Sequence, residues 1–265
     1  MWFSVGETRP RASLSRPASP RQVVSVPAIQ TDGLTKYYGE TRGIENLDLE
    51  VETGEIFGFL GPNGAGKTTT IRTLLGFMAP TDGSATVLGQ DVTDEAALLA
   101  AKRDLGFLPG DPAFDDGVTG RRYLDLHASL KGDERREELL EIFDPPLDRN
   151  IGEDSRGNRQ MLGLIQAFMH DPDLVVMDEP TSGLDPLKQE RFNDFVEAET
   201  DRGTTVFFSS HVLSEVRKVC DRVGIIRNGH LVEVAEVGDL LDRSGRLVTV
   251  TVETPPGPDA FDLDG

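Results

Sequence analysis

Eight consecutive residues, Gly61-Pro62-Asn63-Gly64-Ala65-Gly66-Lys67-Thr68, set three glycines, one lysine and one hydroxyl at the spacing G-x-x-x-x-G-K-T. Glycines at these places let backbone N–H groups converge on an anion that a Cβ would obstruct. A helix that opens directly behind such a turn points its positive end at the same anion. Lys67 then reaches the β- and γ-phosphates of a nucleotide, and the Thr68 hydroxyl is placed to hold Mg²⁺. Together with Thr69, these residues form the candidate phosphate-binding set. A second constellation lies far along the chain, where Leu174-Val175-Val176-Met177 runs into Asp178-Glu179-Pro180. An apolar run ending in acids reads as a strand buried on both faces with carboxylates at its tip. Asp178 is a candidate metal ligand beside Thr68. Glu179, one residue on, is placed to orient or deprotonate a water.

These side chains need a scaffold that brings strand ends together. Glu55–Leu60 reads as a short apolar strand feeding the glycine loop, and Thr69–Leu75 carries apolar residues at helical spacing behind it. The alternation predicts a single half-buried strand over Ile44–Val51 and a further short one over Ser84–Leu88. It predicts helices over Asp94–Arg103, capped by Thr93, and over Thr119–Leu130 and Asp133–Phe143. Later come a helix over Pro186–Thr200, a strand over Thr204–Ser209 and a helix over His211–Val219. An Asn228-Gly229 hairpin turn follows, then a strand over Leu247–Val252. Strands alternating with helices imply an α/β fold with a mainly parallel sheet and helices on both faces. The helix-rich middle suggests an inserted subdomain, about residues 91–170. The Glu134–Glu141 charges read as a solvated helix face, and His127 and His170 read as structural.

The bulk numbers narrow the class. In 265 residues there are 46 Asp and Glu against 27 Lys and Arg, a net charge of −19. Only 6 of the 27 basic residues are Lys. This balance disfavours nucleic acid or an anionic membrane surface as a partner, and suits work in concentrated salt, where screening relieves self-repulsion. Cys220 is the one cysteine, so no intrachain disulfide forms, and it reads as a small buried apolar residue. No run reaches the ~20 apolar residues that span a bilayer, so no direct membrane insertion is expected. Residues 1–27 are rich in Pro and Ser. They carry Arg9, Arg11, Arg16 and Arg21 against Glu7, a local +3 beside −22 for the remainder. They read as a disordered tail before a nucleotide-binding domain over 28–240, with a short C-terminal extension over 241–265.

From Ile29 to Glu236 the chain resembles the ATP-binding subunit of an ABC transporter, of the drug- and antibiotic-export type. The glycine loop and the Asp178-Glu179 strand carry the resemblance, with Ser182-Gly183-Leu184-Asp185 as the loop behind the glutamate. His211 matches the family's switch histidine and Tyr38 the aromatic that stacks on adenine. Asp154-Ser155-Arg156-Gly157-Asn158-Arg159-Gln160 stands at the signature position. The resemblance implies a P-loop NTPase core with an N-terminal antiparallel β portion and an inserted helical subdomain. It implies ATP and Mg²⁺ as cofactors and ATP hydrolysis as the activity, with Glu179, His211 and Lys67 catalytic. It further implies two such subunits sandwiching two ATP molecules, Ser155 and Gly157 of one chain meeting the γ-phosphate held by the other. The partners would be a second copy of the chain and a membrane-spanning permease subunit, and the location cytoplasmic, on the inner face of the membrane. A soluble ABC-type ATPase, or a regulator that switches without transport, is the competing expectation.

Two departures stand out. The family signature begins Leu-Ser-Gly-Gly-Gln, whereas this chain has Arg156 for the first Gly and Asn158 for the Gln. Arg156 either adds a charge-assisted phosphate contact or points to solvent. The family also places Gln or Glu where this chain has Gly110, leaving Asp111 as the nearest side chain that could stand in.

Overall fold

A computed structural model describes residues 26–243 of the chain. The N-terminal strands β1 (Ile29–Tyr38), β2 (Thr41–Leu47), β3 (Glu50–Val51), β5 (Asp82–Val87) and β6 (Gln90–Asp91) form an antiparallel sheet in the order β2-β1-β5-β6, with β3 on β1. The expected single strand over Ile44–Val51 is in fact two pieces. Asn46, inside β2, adopts a left-handed φ of 50° where the β1–β2 register shifts, and the strand pairing stops at Asp48 and Leu49 before β3.

The second sheet has six strands. These are β4 (Ile56–Leu60), β7 (Leu105–Leu108), β8 (Leu174–Asp178), β9 (Thr205–Ser210), β10 (Arg222–Arg227) and β11 (His230–Glu236), in the order β11-β10-β4-β9-β8-β7. Every neighbouring pair is parallel except the β10–β11 hairpin. Its turn residues, Asn228 and Gly229, both have positive φ, 50° and 80°, as a two-residue hairpin of matching twist requires.

The period of two along each strand sorts side chains into two cores. Phe57, Phe59, Phe207 and Val176 pack on one face with β1 and with α1 (Lys67–Leu74). Ile56, Val206, Phe208, Val175 and Met177 pack on the other. That second cluster takes in Leu124 of α3 (Gly120–Lys131), Leu139 of α4 (Arg136–Phe143) and most of the apolar face of α5 (Arg156–Phe168). It also holds Phe192 of α6 (Pro186–Asp201) and Val216 of α7 (Leu213–Val219). The helical block therefore shares a continuous core with the sheet. The remaining helices are α2 (Glu95–Ala101) and α8 (Val237–Arg243).

Local detail corrects two more expectations and bears out a third, the burial of Cys220. The cap of α2 is Asp94, whose Oδ1 accepts from Ala97 N at 3.0 Å, while Thr93 donates to Asp91 instead. The Glu134–Glu141 stretch is not simply a solvated face. Arg135, beside α4, is buried against Glu199 of α6 and also pairs with Glu138, which reaches Arg202. Cys220 is buried under β4, and burial pushes its thiol well above its ordinary pKa. The predicted strand over Leu247–Val252 and nearly all of the N-terminal tail lie outside the described residues.

Candidate active site

The strand order explains why residues far apart in sequence converge. In register, Leu60 of β4 lies beside Ser210 of β9, and Ser209 beside Asp178 of β8. The loops leaving the carboxyl ends of these parallel strands therefore emerge side by side, the usual place for a ligand in an open α/β sheet. They carry the glycine loop, Glu179 and His211.

The loop residue Gly66 has φ 114°, and a Cβ there would lie 2.8 Å from Ile44 Cγ2; only glycine closes this turn. Helix α1 then starts with no side-chain cap, so its first N–H groups are left for an external acceptor. Lys67 is buried, and its Nζ donates to Gly61 O at 2.7 Å and lies 3.1 Å from Glu179 Oε1, at ion-pair distance but off the hydrogen-bond direction. Thr68 Oγ1 donates to Asp178 Oδ2 at 2.9 Å. His211 Nδ1 meets Glu179 Oε2 at 2.7 Å. Lys67, Thr68, Asp178, Glu179 and His211 are thus one connected cluster.

Glu179 itself has a left-handed φ of 51°, a costly backbone state that something must hold. Its N–H is received by Ser209, through the carbonyl at 3.1 Å and the hydroxyl at 3.2 Å. The same Ser209 hydroxyl donates to Asp178 Oδ1 at 2.5 Å. Ser209 went unnoticed in the sequence reading. Its signal was a hydroxyl pair, Ser209-Ser210, ending an otherwise apolar strand.

Two cavities flank the cluster. One, of about 350 Å³, is lined by Tyr38, Thr41, Arg42, Pro62, Asn63, Gly64, Lys67, Thr69 and Asp178. Tyr38 is 48% exposed there, and its hydroxyl sits 3.4 Å from Thr69 Oγ1. Its neighbour Tyr37 is tied to Glu45 at 2.8 Å, so Tyr38 is the ring open to a flat ligand. The sequence reading did not include Arg42. The other cavity, of about 410 Å³, runs from Thr68 and Glu179 past Gly110 and Asp111 to Arg156, Ser182 and His211. A Cβ on Gly110 would come within 3.1 Å of Asp178 O, so this glycine keeps its loop tight against the end of β8.

The groups present suit a nucleoside triphosphate with Mg²⁺. The uncapped helix and the buried lysine match phosphate oxygens, and the Thr68 hydroxyl with the Asp178 carboxylate is a hard oxygen pair of the kind Mg²⁺ takes. Ser155 caps α5, accepting from Asn158 N at 3.3 Å, and Gly157 is buried in its first turn. Of this turn, Arg156 lines the second cavity. It is exposed at the cavity rim, and its Nη2 donates to Ser182 Oγ at 2.9 Å.

Residues 44–182 match the family model described as ABC transporter. The chain belongs to the ABC transporter family. It is 36% identical over 222 residues to the bacitracin transport ATP-binding protein BcrA of Enterococcus faecalis, covering 82% of this chain and 71% of that protein. It is 37% identical over 226 residues to the daunorubicin/doxorubicin resistance ATP-binding protein DrrA of Streptomyces peucetius, covering 82% and 68%. Among solved structures, an ATP-binding subunit of an ABC transporter superposes with a TM-score of 0.74 at 26% identity, over 82% of this chain and 93% of that one. A dimeric cassette bound to ADP and phosphate shares the fold, with a TM-score of 0.72 at 22% identity over 79% and 98%. This ABC protein is an ATP-binding subunit and an ATPase, and takes its nucleotide with Mg²⁺. Among the described residues no helix is long and apolar enough to cross a membrane.

Proposed function

We propose that this chain is the energy-transducing subunit of an export system, working as a homodimer beneath a separate membrane-spanning permease on the cytoplasmic face. The observation that carries the proposal is the cluster Lys67–Glu179–His211 next to Thr68–Asp178 at the strand ends. In this reading Tyr38 stacks on adenine, and residues 61–69 cradle the phosphates. Thr68 and Asp178 hold Mg²⁺, which when bound neutralises phosphate charge. Glu179 takes a proton from the attacking water, and His211, hydrogen-bonded to it, orients that carboxylate. Ser155 and Gly157 meet the γ-phosphate held by the other copy, so that triphosphate joins the two chains and its hydrolysis parts them.

The domain expectation carries over: an ATP-binding domain over 28–240, with the helical block over about 91–170 as the part that passes motion to the permease. The export direction is supported by the identity to the bacitracin and daunorubicin/doxorubicin proteins. A regulator without turnover has no need of a carboxylate–histidine pair at 2.7 Å. The test is Glu179→Gln. It is expected to bind Mg-ATP with unchanged affinity and to hydrolyse it at least 100-fold more slowly, in line with the ~10²–10⁴ contributed by a positioned base. Turnover equal to wild type overturns the base role.

A further inference from the structure

The first turn of α5 holds two residues that depart from the family signature, Arg156 and Asn158, and both are engaged within their own chain. Arg156 Nη2 donates to Ser182 Oγ at 2.9 Å. Asn158 Oδ1 accepts from Lys188 Nζ at 3.0 Å. One turn further, the buried Gln160 donates through Nε2 to Pro180 O at 2.8 Å. All three partners lie on the segment that follows Glu179.

That segment braces Glu179 in turn. Ser182 N donates to Glu179 O at 3.1 Å, and Leu184 N to Thr181 O at 3.1 Å. Gly183 has φ 80°, and a Cβ there would lie 2.7 Å from Arg156 Cδ. The glycine thus gives the loop its left-handed turn and leaves room for the arginine stem to lie across it. A short chain of contacts then runs from Arg156 through Ser182 to the backbone of a glutamate held at φ 51°. A carboxylate on a strained backbone keeps its aim only while its surroundings over-determine it.

We propose that Arg156, Asn158 and Gln160 form a clasp within each chain that holds the loop after Glu179 and so fixes the reach of the Glu179 carboxylate. Arg156 is then a positioning residue and not a ligand of the γ-phosphate held by the other copy. The inference rests on the reading of Glu179 as the base. It also gives the helical block a route to the chemistry: a shift of α5 pulls on the loop behind the base through the clasp.

The test is a double-mutant cycle in steady-state ATP hydrolysis, with Arg156→Ala, Ser182→Ala and the two combined. A charge-assisted hydrogen bond to a neutral hydroxyl at a solvent-accessible site corresponds to roughly three- to tenfold in rate. Each single change is expected to lower kcat by about that factor with KM for ATP within about twofold, and the pair to lose no more than the worse single. Arg156→Lys is expected to recover at least about half of the loss, which a purely structural defect would not allow. Unchanged thermal unfolding midpoints confirm that the fold is intact. Multiplicative losses in the double variant, or a KM raised more than about fivefold at unchanged kcat, overturn the clasp and favour a phosphate ligand. Glu179→Gln measured alongside separates the two claims. Normal turnover in that variant removes the base assignment, whereas multiplicative losses beside a silent Glu179→Gln remove the clasp alone.

Discussion

Replacing Lys67 by Met keeps most of the side-chain volume and deletes only the charge. The stem is 6% exposed, so methionine fills the same space and the packing of α1 is retained. What is lost is the ammonium, which here lies 2.7 Å from Gly61 O, 3.4 Å from Pro62 O and 3.1 Å from Glu179 Oε1. Bound triphosphate offers it two charge-assisted contacts of about 1.5–3 kcal/mol each. Giving up its contacts within the loop offsets about 1 kcal/mol of that. A net loss of about 2–5 kcal/mol converts to roughly 30- to 5000-fold weaker nucleotide binding. Glu179 keeps His211 and some access to solvent, so the unfolding midpoint should move by no more than about 2 °C, the effect of well under 1 kcal/mol in a chain of this size. The assay is titration with a fluorescent ATP analogue in the presence of Mg²⁺. A dissociation constant within threefold of wild type refutes the placement of this lysine on the phosphates.

Other outcomes follow from the rest of the fold. Glu199→Ala leaves the buried Arg135 with only the half-exposed Glu138 and Asp171, and is expected to cost about 3 kcal/mol in urea unfolding; a loss below about 0.5 kcal/mol contradicts this. Burial, with Lys131 nearby, pushes the His170 pKa from 6.5 down to about 4. The unfolded chain therefore takes up a proton before the folded one, and stability falls as pH drops from about 6.5 to 4, by up to about 3 kcal/mol. His170→Gln should flatten that part of the pH–stability curve by about one proton, and an unchanged slope contradicts the assignment. With a net charge of −19, the thermal midpoint should rise from dilute buffer to molar KCl; equal midpoints count against a protein adapted to salt.

The sequence made local features plain and long-range ones obscure. The glycine loop was legible because its chemistry is contiguous, with strand, turn and helix within twenty residues. The end of β8 was legible because four apolar residues lead into two acids. His211 and Tyr38 needed the family resemblance, since a lone histidine and a lone tyrosine carry no spacing. Ser209 was missed because its role exists only through its register with Asp178 on the neighbouring strand. Arg135 and Glu199 are 64 residues apart, and no local pattern pairs them, so the one buried charge in the otherwise solvated Glu134–Glu141 face is not legible. Arg156 could not be read either. Whether an arginine meets phosphate, water or its own chain depends on a loop 26 residues away. The gap at Asp48 and Leu49 is not legible because the apolar–polar alternation continues through it.

The central claim is that two copies close over bound triphosphate, and the mass of the Glu179→Gln variant tests it most directly. Light scattering on that variant in high KCl should give the 28.9 kDa of one chain without nucleotide and twice that mass with saturating Mg-ATP. A mass that stays at one chain under both conditions contradicts the account.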